Sequence, residues 1–336
     1  MTNGLKRRGF LGAMGGAAAL SAMSPRMAMA QGVNIDIATM GVGGLWYQYG
    51  ITLSQYIGPY LPAGSVVTVR DFAGGDGNLR LIEANQRVQV ALTFAMNISW
   101  SRNRMTHITD STAENVRLIA GGLDQFYLGM MALRSLGATT MSEVWDAGRG
   151  LRISTTQPGS TGEIATGLLL QAHGLDEAEN SRRGGSLTRV SMQAASENMI
   201  TDRADVWINM LVAGQPRATE LAFSHDMTFL SLSDEAQAFM TDHGFPPAYL
   251  PADTFHRQTE AVRLPATETV IIVNSELDDD IAYRITMSLI ENMEAIRGET
   301  AALSNFTPER AVDVERAGGA PLHPGAERAY REAGFI

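Results

Sequence analysis

Strand-length apolar runs that end in glycine-rich turns recur along this sequence, and they constrain its fold more than any other feature. Residues 33–40 form such a run, glycines follow at 41–44, and apolar residues then recur at helical spacing from Trp46 onward. The same order returns at residues 66–72 and 151–155, each followed by a glycine-containing turn. Strand, turn and helix in series predict an α/β sheet with helices on its faces.

Three of these turns, at residues 41–44, 74–77 and 158–162, stand directly before a helical pattern, and a weaker fourth lies at 213–216. A helix N-terminus exposes unpaired backbone N–H groups, and glycine lets a ligand come close to the backbone. In open α/β sheets such turns lie at the carboxyl ends of strands, where ligands bind. Two interpretations stay open at this point: ordinary turns that need glycine for their geometry, or parts of one shared ligand site.

Length and charge narrow the possible functions. A chain of 336 residues is long enough for about two domains, and its formal charge of −10 makes it acidic. An acidic surface repels phosphate backbones, so nucleic acid is not expected as a partner. The chain has no cysteine, which excludes disulfides, cysteine zinc ligands and a thiol nucleophile.

The first 30 residues have the pattern of an export signal. A basic group at residues 6–8 precedes an apolar stretch at 10–23, and residues 28–30 read Ala-Met-Ala, the form of a signal-peptidase site. The apolar stretch is too short for a membrane anchor, which needs about 20 residues. Paired arginines followed by Phe-Leu favour the twin-arginine route, with an ordinary secretory signal as the alternative. We therefore expect a periplasmic mature chain that is not itself embedded in a membrane.

The sequence lacks the motifs of several enzyme classes. The turn at 74–78 does not continue into G-x-G-x-x-G, because Arg80 stands at the last position. The six histidines are dispersed, without H-E-x-x-H or H-x-x-H, and no metal or cofactor is expected. Ser160 has no G-x-S-x-G elbow and no nearby histidine, so a helix cap is the favoured interpretation over a nucleophile. These observations favour binding over catalysis.

Six segments, in order along the chain, resemble the TAXI family of TRAP-transporter solute receptors. They are GVGGLWYQYG at 41–50, GGDGNLR at 74–80, VRLIAGG at 116–122, PGSTG at 158–162, ADVWIN at 204–209 and PLHPGAERAYREAG at 321–334. The resemblance covers nearly the whole chain after the export signal. Its most specific parts are the tail and the first two glycine turns.

The resemblance implies a two-lobed α/β periplasmic-binding-protein fold of type II, with two chain crossings and a ligand cleft between the lobes. It also implies a receptor, not an enzyme, that captures a small organic acid or amino acid of the glutamate-like or dicarboxylate class. Lobe closure would hold this ligand until the receptor delivers it to TRAP membrane subunits. We expect one lobe from residues 31–125 and 228–336, and the other from residues 126–227.

Ligand contacts are expected from both lobes. Glycine turns, aromatic rings and amides would contribute from the first lobe, and amides and hydroxyls from the second. The expected residues are Gly43, Gly44, Trp46, Tyr47, Asn78 and Asn97 on one side, and Gln157, Ser160, Thr161 and Asn209 on the other.

Three departures from the family pattern bear on the ligand. Glu163 stands where the family often has arginine, Val42 where threonine is common, and Trp46 where tyrosine is common. These changes point to a ligand bulkier or less charged than glutamate. Two other functions stay open: a sensor that feeds a membrane signalling protein, and an enzyme on the same fold that uses Ser160. Neighbouring genes for TRAP membrane subunits would favour transport, and a neighbouring histidine kinase would favour sensing.

Overall fold

The computed structural model describes residues 32–42, 44–72, 74–105 and 111–336. The export signal predicted for residues 1–30 lies outside the described residues, as does Gly43. The strands are β1 (Asn34–Thr39), β2 (Val66–Asp71), β3 (Val90–Phe94), β4 (Val116–Ala120), β5 (Phe126–Leu133), β6 (Arg152–Thr155), β7 (Ser186–Arg189), β8 (Val206–Leu211), β9 (Met227–Phe229), β10 (Pro247–Leu250), β11 (Val262–Thr267) and β12 (Thr269–Asn274).

Helices follow most of these strands. They are α1 (Leu45–Ile57), α2 (Gly75–Glu83), α3 (Ala95–Arg102), α4 (Met141–Asp146), α5 (Thr161–Ala172), α6 (Glu177–Arg182), α7 (Met192–Ile200), α8 (Pro216–Ser224), α9 (Asp234–Asp242), α10 (Asp279–Glu299), α11 (Pro308–Ala311) and α12 (Pro324–Glu332). Within the described part of the chain, no helix is both long enough and apolar enough to span a bilayer.

Five strands form the first sheet, in the order β2-β1-β3-β12-β4. β1 pairs in parallel with β2 and β3, so Ile37 lies beside both Val69 and Val90, whereas β12 runs antiparallel between β3 and β4. Every residue of β3 and of β12 is buried. Strands covered on both faces carry almost continuous apolar runs, as these two do.

Seven strands form the second sheet. Six follow the order β10-β11-β5-β8-β6-β7, and β9 also pairs with β5. β6, β7 and β8 run parallel, while β5 is antiparallel to β8 and to β11. In the β5–β8 pair Gly129 lies opposite Asn209, so no side chain stands beside that asparagine on the neighbouring strand.

The chain crosses between the sheets twice, through residues 121–125 and through Glu268. After the second crossing, α10 packs on α1 and α12, and Leu322 bridges to Leu118 of β4, so the C-terminal segment joins the first sheet. We call the described residues of 32–120 and 269–336 the first lobe, and residues 126–267 the second lobe. This two-lobed α/β architecture confirms the predicted fold class.

The structure differs from the sequence-based division in where the chain returns to the first lobe. That division assigns residues 228–336 to the first lobe. In the structure, however, β9 and β11 pair with β5, and β10 pairs with β11. The second lobe therefore extends to residue 267, because three strands after residue 226 complete its sheet.

Candidate functional site

The glycine turn before α2 meets the N-terminus of α5 beside the start of α3, because Gly75 lies against Thr161 and Asn97. β1, β2 and β3 are parallel, so the turns after them lie at one edge of the first sheet, and the turns after β6 and β8 lie at the corresponding edge of the second. Side chains meet directly between these edges. Asn97 Nδ2 of α3 donates to Thr161 Oγ1 of α5 over 3.4 Å.

Asn97 is held in place by its own lobe. Its Nδ2 also donates to Thr93 Oγ1 over 3.1 Å, and the Thr93 hydroxyl donates to the carbonyl oxygen of Gly75 over 2.9 Å. The Asn97 side chain is buried, and its Oδ1 has no hydrogen-bond partner. Because a buried amide oxygen without a partner is costly, this atom can accept a bond from a bound molecule.

The second lobe contributes the N-terminus of α5. Ser160 is its cap, and Ser160 Oγ accepts from the backbone N–H of Glu163 over 3.3 Å and lies 2.7 Å from Thr156 Oγ1. Asn209 at the neighbouring strand is 2 % exposed, and its Nδ2 has no partner. Asn209 lies beside Gly162, the second residue of α5, so a donor without a partner belongs to a side chain near this helix N-terminus.

Gln157, Gly44 and Tyr47 are more exposed. Gln157 is exposed in the turn before α5, Gly44 caps α1 and is half-buried, and Tyr47 is half-buried in the first turn of α1. The carboxylate of Glu163 is already bound within the second lobe, because Arg189 donates to it over 2.8 Å. Arg189 also binds Glu177, so its charge is already matched by two carboxylates.

Asn78 is placed differently from the expectation of a cleft side chain. It is fully buried under α2, and its Nδ2 donates to the backbone carbonyls of Ala38, Thr39 and Leu92 over 3.3, 3.1 and 2.8 Å. These carbonyls belong to β1 and β3, so the side chain ties two parallel strands together at the edge that carries the turns.

Trp46 lies in the core between the lobes and is 1 % exposed. Its indole N–H donates to Thr269 Oγ1 over 3.0 Å, and its ring lies 4.5 Å from that of Phe94. The Phe94 ring in turn lies 5.0 Å from that of Phe126, the first residue of the second lobe. The indole therefore packs at the chain crossings, where it joins an aromatic row that links the lobes.

Asp124, in the first crossing, is a buried carboxylate that the sequence analysis did not single out. It accepts from the backbone N–H of Thr269 over 2.8 Å and from its hydroxyl over 2.7 Å, so it connects the two crossings. Burial raises the pKa of Asp124 to about 7, although the bonds from Thr269 favour the charged form. Burial also raises the pKa of the adjacent Tyr49 hydroxyl. The sequence around an aspartate in a loop does not show whether its carboxyl is buried, as that of Asp124 is, or exposed to solvent.

A groove of about 750 Å³ lies on another face of α3. Met96, Thr267 and Arg316 are among its lining residues, and none of the predicted site residues that the structure describes lines it. In a helix, residues 96, 99 and 103 face away from residue 97. The groove is therefore separate from the meeting point of the glycine turns. Among the described residues, no group of three histidine or acidic side chains is arranged to hold a metal ion.

The sequence of residues 37–334 matches the model of one protein family, the NMT1-like family. The chain belongs to the NMT1-like family. Solved structures of periplasmic binding proteins share the fold of this NMT1-like chain at very low sequence identity, and they establish the fold alone.

Three of these structures are similar over 90 % of the chain. MatC from Rhodopseudomonas palustris with bound malate has a TM-score of 0.55 and 10 % identity, over 97 % of its own length. The periplasmic binding protein BugD has a TM-score of 0.52 and 13 % identity, over 97 % of its length. PhnD1 from Prochlorococcus marinus, in complex with methylphosphonate, has a TM-score of 0.52 and 8 % identity, over 99 % of its length.

Proposed function

We propose that this chain is an extracytoplasmic solute receptor that captures a small organic acid or amino acid between its two lobes. The observation that carries the proposal is the bond between Asn97 and Thr161 of opposite lobes, with Asn209 beside Gly162 in the second lobe. Two of these three side chains keep a buried polar atom without a partner. A polar ligand would supply those partners, and its binding energy would favour the closed arrangement of the lobes.

The ligand contacts would come from uncharged groups. At the turn before α5 the nearby guanidinium of Arg189 is bound to Glu163 and Glu177, which leaves backbone N–H groups, amides and hydroxyls as donors. Helix N-termini stabilise anions without a cationic side chain. MatC and PhnD1 are described with malate and methylphosphonate, both small anions. A small carboxylate, glutamate-like, dicarboxylate or less charged, is therefore the proposed ligand class.

The finer assignment is a receptor of the TAXI type that delivers its ligand to TRAP membrane subunits. It is supported by the six matching segments and by the export pattern at residues 1–30. Export would place the mature chain in the periplasm, where such receptors meet their membrane partners. Catalysis is not proposed, since Ser160 serves as the cap of α5.

Thermal unfolding with a panel of dicarboxylates, amino acids and uncharged polar compounds tests the proposal. A compound at 100 times its dissociation constant adds about 2.7 kcal/mol to the free energy of unfolding. We expect at least one small carboxylate to raise the melting temperature, and Asn209→Ala to reduce the rise by about half or more. Asn103→Ala removes an exposed amide outside the site and should leave it unchanged. The proposal fails if no compound stabilises the protein, or if Asn209→Ala responds like the control.

A further inference from the structure

The first residue of α2, Gly75, lies directly against the second lobe. Its φ of 48° is in the left-handed region, which favours glycine. A Cβ atom added to Gly75 would lie less than 3.0 Å from Thr161 Oγ1 and 3.2 Å from Asn97 Nδ2. No space is left for a side chain between the lobes at this point.

Neither neighbour can move aside easily. Thr161 is the first residue of α5, is 6 % exposed, and has a β-branched side chain with few allowed rotamers. Asn97 is bound to Thr93, and Thr93 holds the carbonyl oxygen of Gly75 itself. A side chain at position 75 would therefore push the lobes apart instead of displacing a flexible group.

Gly162, the next residue after Thr161, provides an informative contrast. A Cβ atom there would lie 2.5 Å from Thr156 Oγ1 and 3.2 Å from Asn209 Oδ1, both in the same lobe. Its requirement for glycine comes from packing within the second lobe. The requirement for glycine at position 75 has two causes: the left-handed backbone conformation and the close approach of the two lobes.

We propose that Gly75, Asn97 and Thr161 form a closure contact that sets how far the two lobes close. The inference rests on the proposed function in one respect: closure of the lobes is what holds the ligand. Gly75 permits the approach, the Thr161 hydroxyl defines its limit, and the Asn97 amide bonds across it. The three are positioning residues for closure, and Gly75 and Thr93 were not among the residues expected from the sequence.

Paired substitutions separate this role from a local packing defect. Gly75→Ala should hold the lobes apart. Adding Thr161→Ala should restore closure, because the hydroxyl is gone and the remaining Cβ of residue 161 lies 3.7 Å from the added one, an ordinary contact. Gly137→Ala is the matched control, since Gly137 has a φ of 69° and open space around its Cβ position.

Spin-label distances across the cleft measure closure without any ligand. The chain has no cysteine, so Gln55→Cys on α1 and Gln193→Cys on α7, both exposed, give one label on each lobe. Pulsed electron resonance should show longer distances for Gly75→Ala than for the parent. It should also show a return to the parent distances in the Gly75→Ala, Thr161→Ala pair, and no change for Gly137→Ala.

Two results would overturn the inference: parent-like distances in folded Gly75→Ala, or no recovery in the paired variant. If Gly75→Ala does not fold, Thr161→Leu places the obstruction on the other lobe at an ordinary helical position, and parent-like distances there would be equally decisive. The outcome is distinct from failure of the proposed function. A chain whose distances respond as expected but that binds none of the panel compounds would retain the closure contact and lose the receptor assignment.

Discussion

The two lobes supply their parts of the site in different ways. In the first lobe, Trp46 and Asn78 are buried and already bonded, one to the chain crossing and the other to three strand carbonyls. In the second lobe, Ser160 and Gln157 belong to the turn before α5. Ser160 caps the helix, and Gln157 is exposed. Substitutions of Trp46 and Asn78 should therefore reduce stability, and those of Ser160 and Gln157 should chiefly affect binding.

Replacing Trp46 by alanine is expected to have the largest effect. It removes a fully buried indole from the aromatic row at the crossings and leaves Thr269 without its donor. Large aromatic side chains cost about 3–5 kcal/mol when truncated in a core. Urea unfolding measures the loss, with half-buried Tyr47→Ala as the control expected to lose less. A Trp46→Ala chain with unchanged stability but weakened ligand binding would instead place the indole in the cleft.

Asp124→Asn tests whether the carboxyl at the first chain crossing is buried in a stable core, as the first-lobe residues are. The pKa of Asp124 is raised to about 7, so between the unfolded value near 4 and pH 7 the native state holds a proton that the unfolded state has released. Stability from this group is present at low pH and is lost as pH rises, by about 1.4 kcal/mol per unit of pKa difference at most. The variant, measured by urea unfolding at pH 4 to 8, should lack this decline. Parallel curves for the two proteins would contradict the assignment.

Asn78→Ala should destabilise the first lobe by about 1–3 kcal/mol, because it leaves the carbonyls of β1 and β3 without their side-chain donor. The matched comparison is Asn209→Ala, whose Nδ2 has no partner to lose. Chemical unfolding should show the larger loss for Asn78. Equal losses would mean that the two asparagines have the same structural role.

Ser160→Ala and Gln157→Ala should have the smallest effects on stability. Loss of the Ser160 cap costs about 1 kcal/mol, and loss of the exposed Gln157 side chain less than about 0.5 kcal/mol. Thermal unfolding measures both. A loss of several kcal/mol in either variant would show that the turn before α5 is as deeply integrated as the first-lobe residues.

The sequence predicted the alternation of strands and helices well because the buried strands are apolar and their turns contain glycine. The runs at 33–40, 66–72 and 151–155 coincide with β1, β2 and β6 to within one or two residues. The return crossing was harder to locate, since the edge strands β9 and β10 are only 3 and 4 residues long and carry little pattern.

The candidate site was less predictable from sequence, because its geometry depends on contacts between distant segments. Nothing local distinguishes the carboxyl of Asp124 from a surface acid, or shows that Gly75 touches a residue 86 positions later. Periodicity places Trp46 on the buried face of α1 but does not say whether that face lines a cleft or a core. Only the packing of the two lobes brings Asn97 of α3 and Thr161 of α5 together.

The claim that both lobes grip one ligand is tested most directly by titration calorimetry with whichever small carboxylate stabilises the protein. Asn97→Ala removes a first-lobe contact and Asn209→Ala a second-lobe contact. We expect each to weaken binding at least about tenfold, which corresponds to about 1.4 kcal/mol. An affinity that depends on one asparagine and is unchanged by loss of the other would contradict a site shared between the lobes.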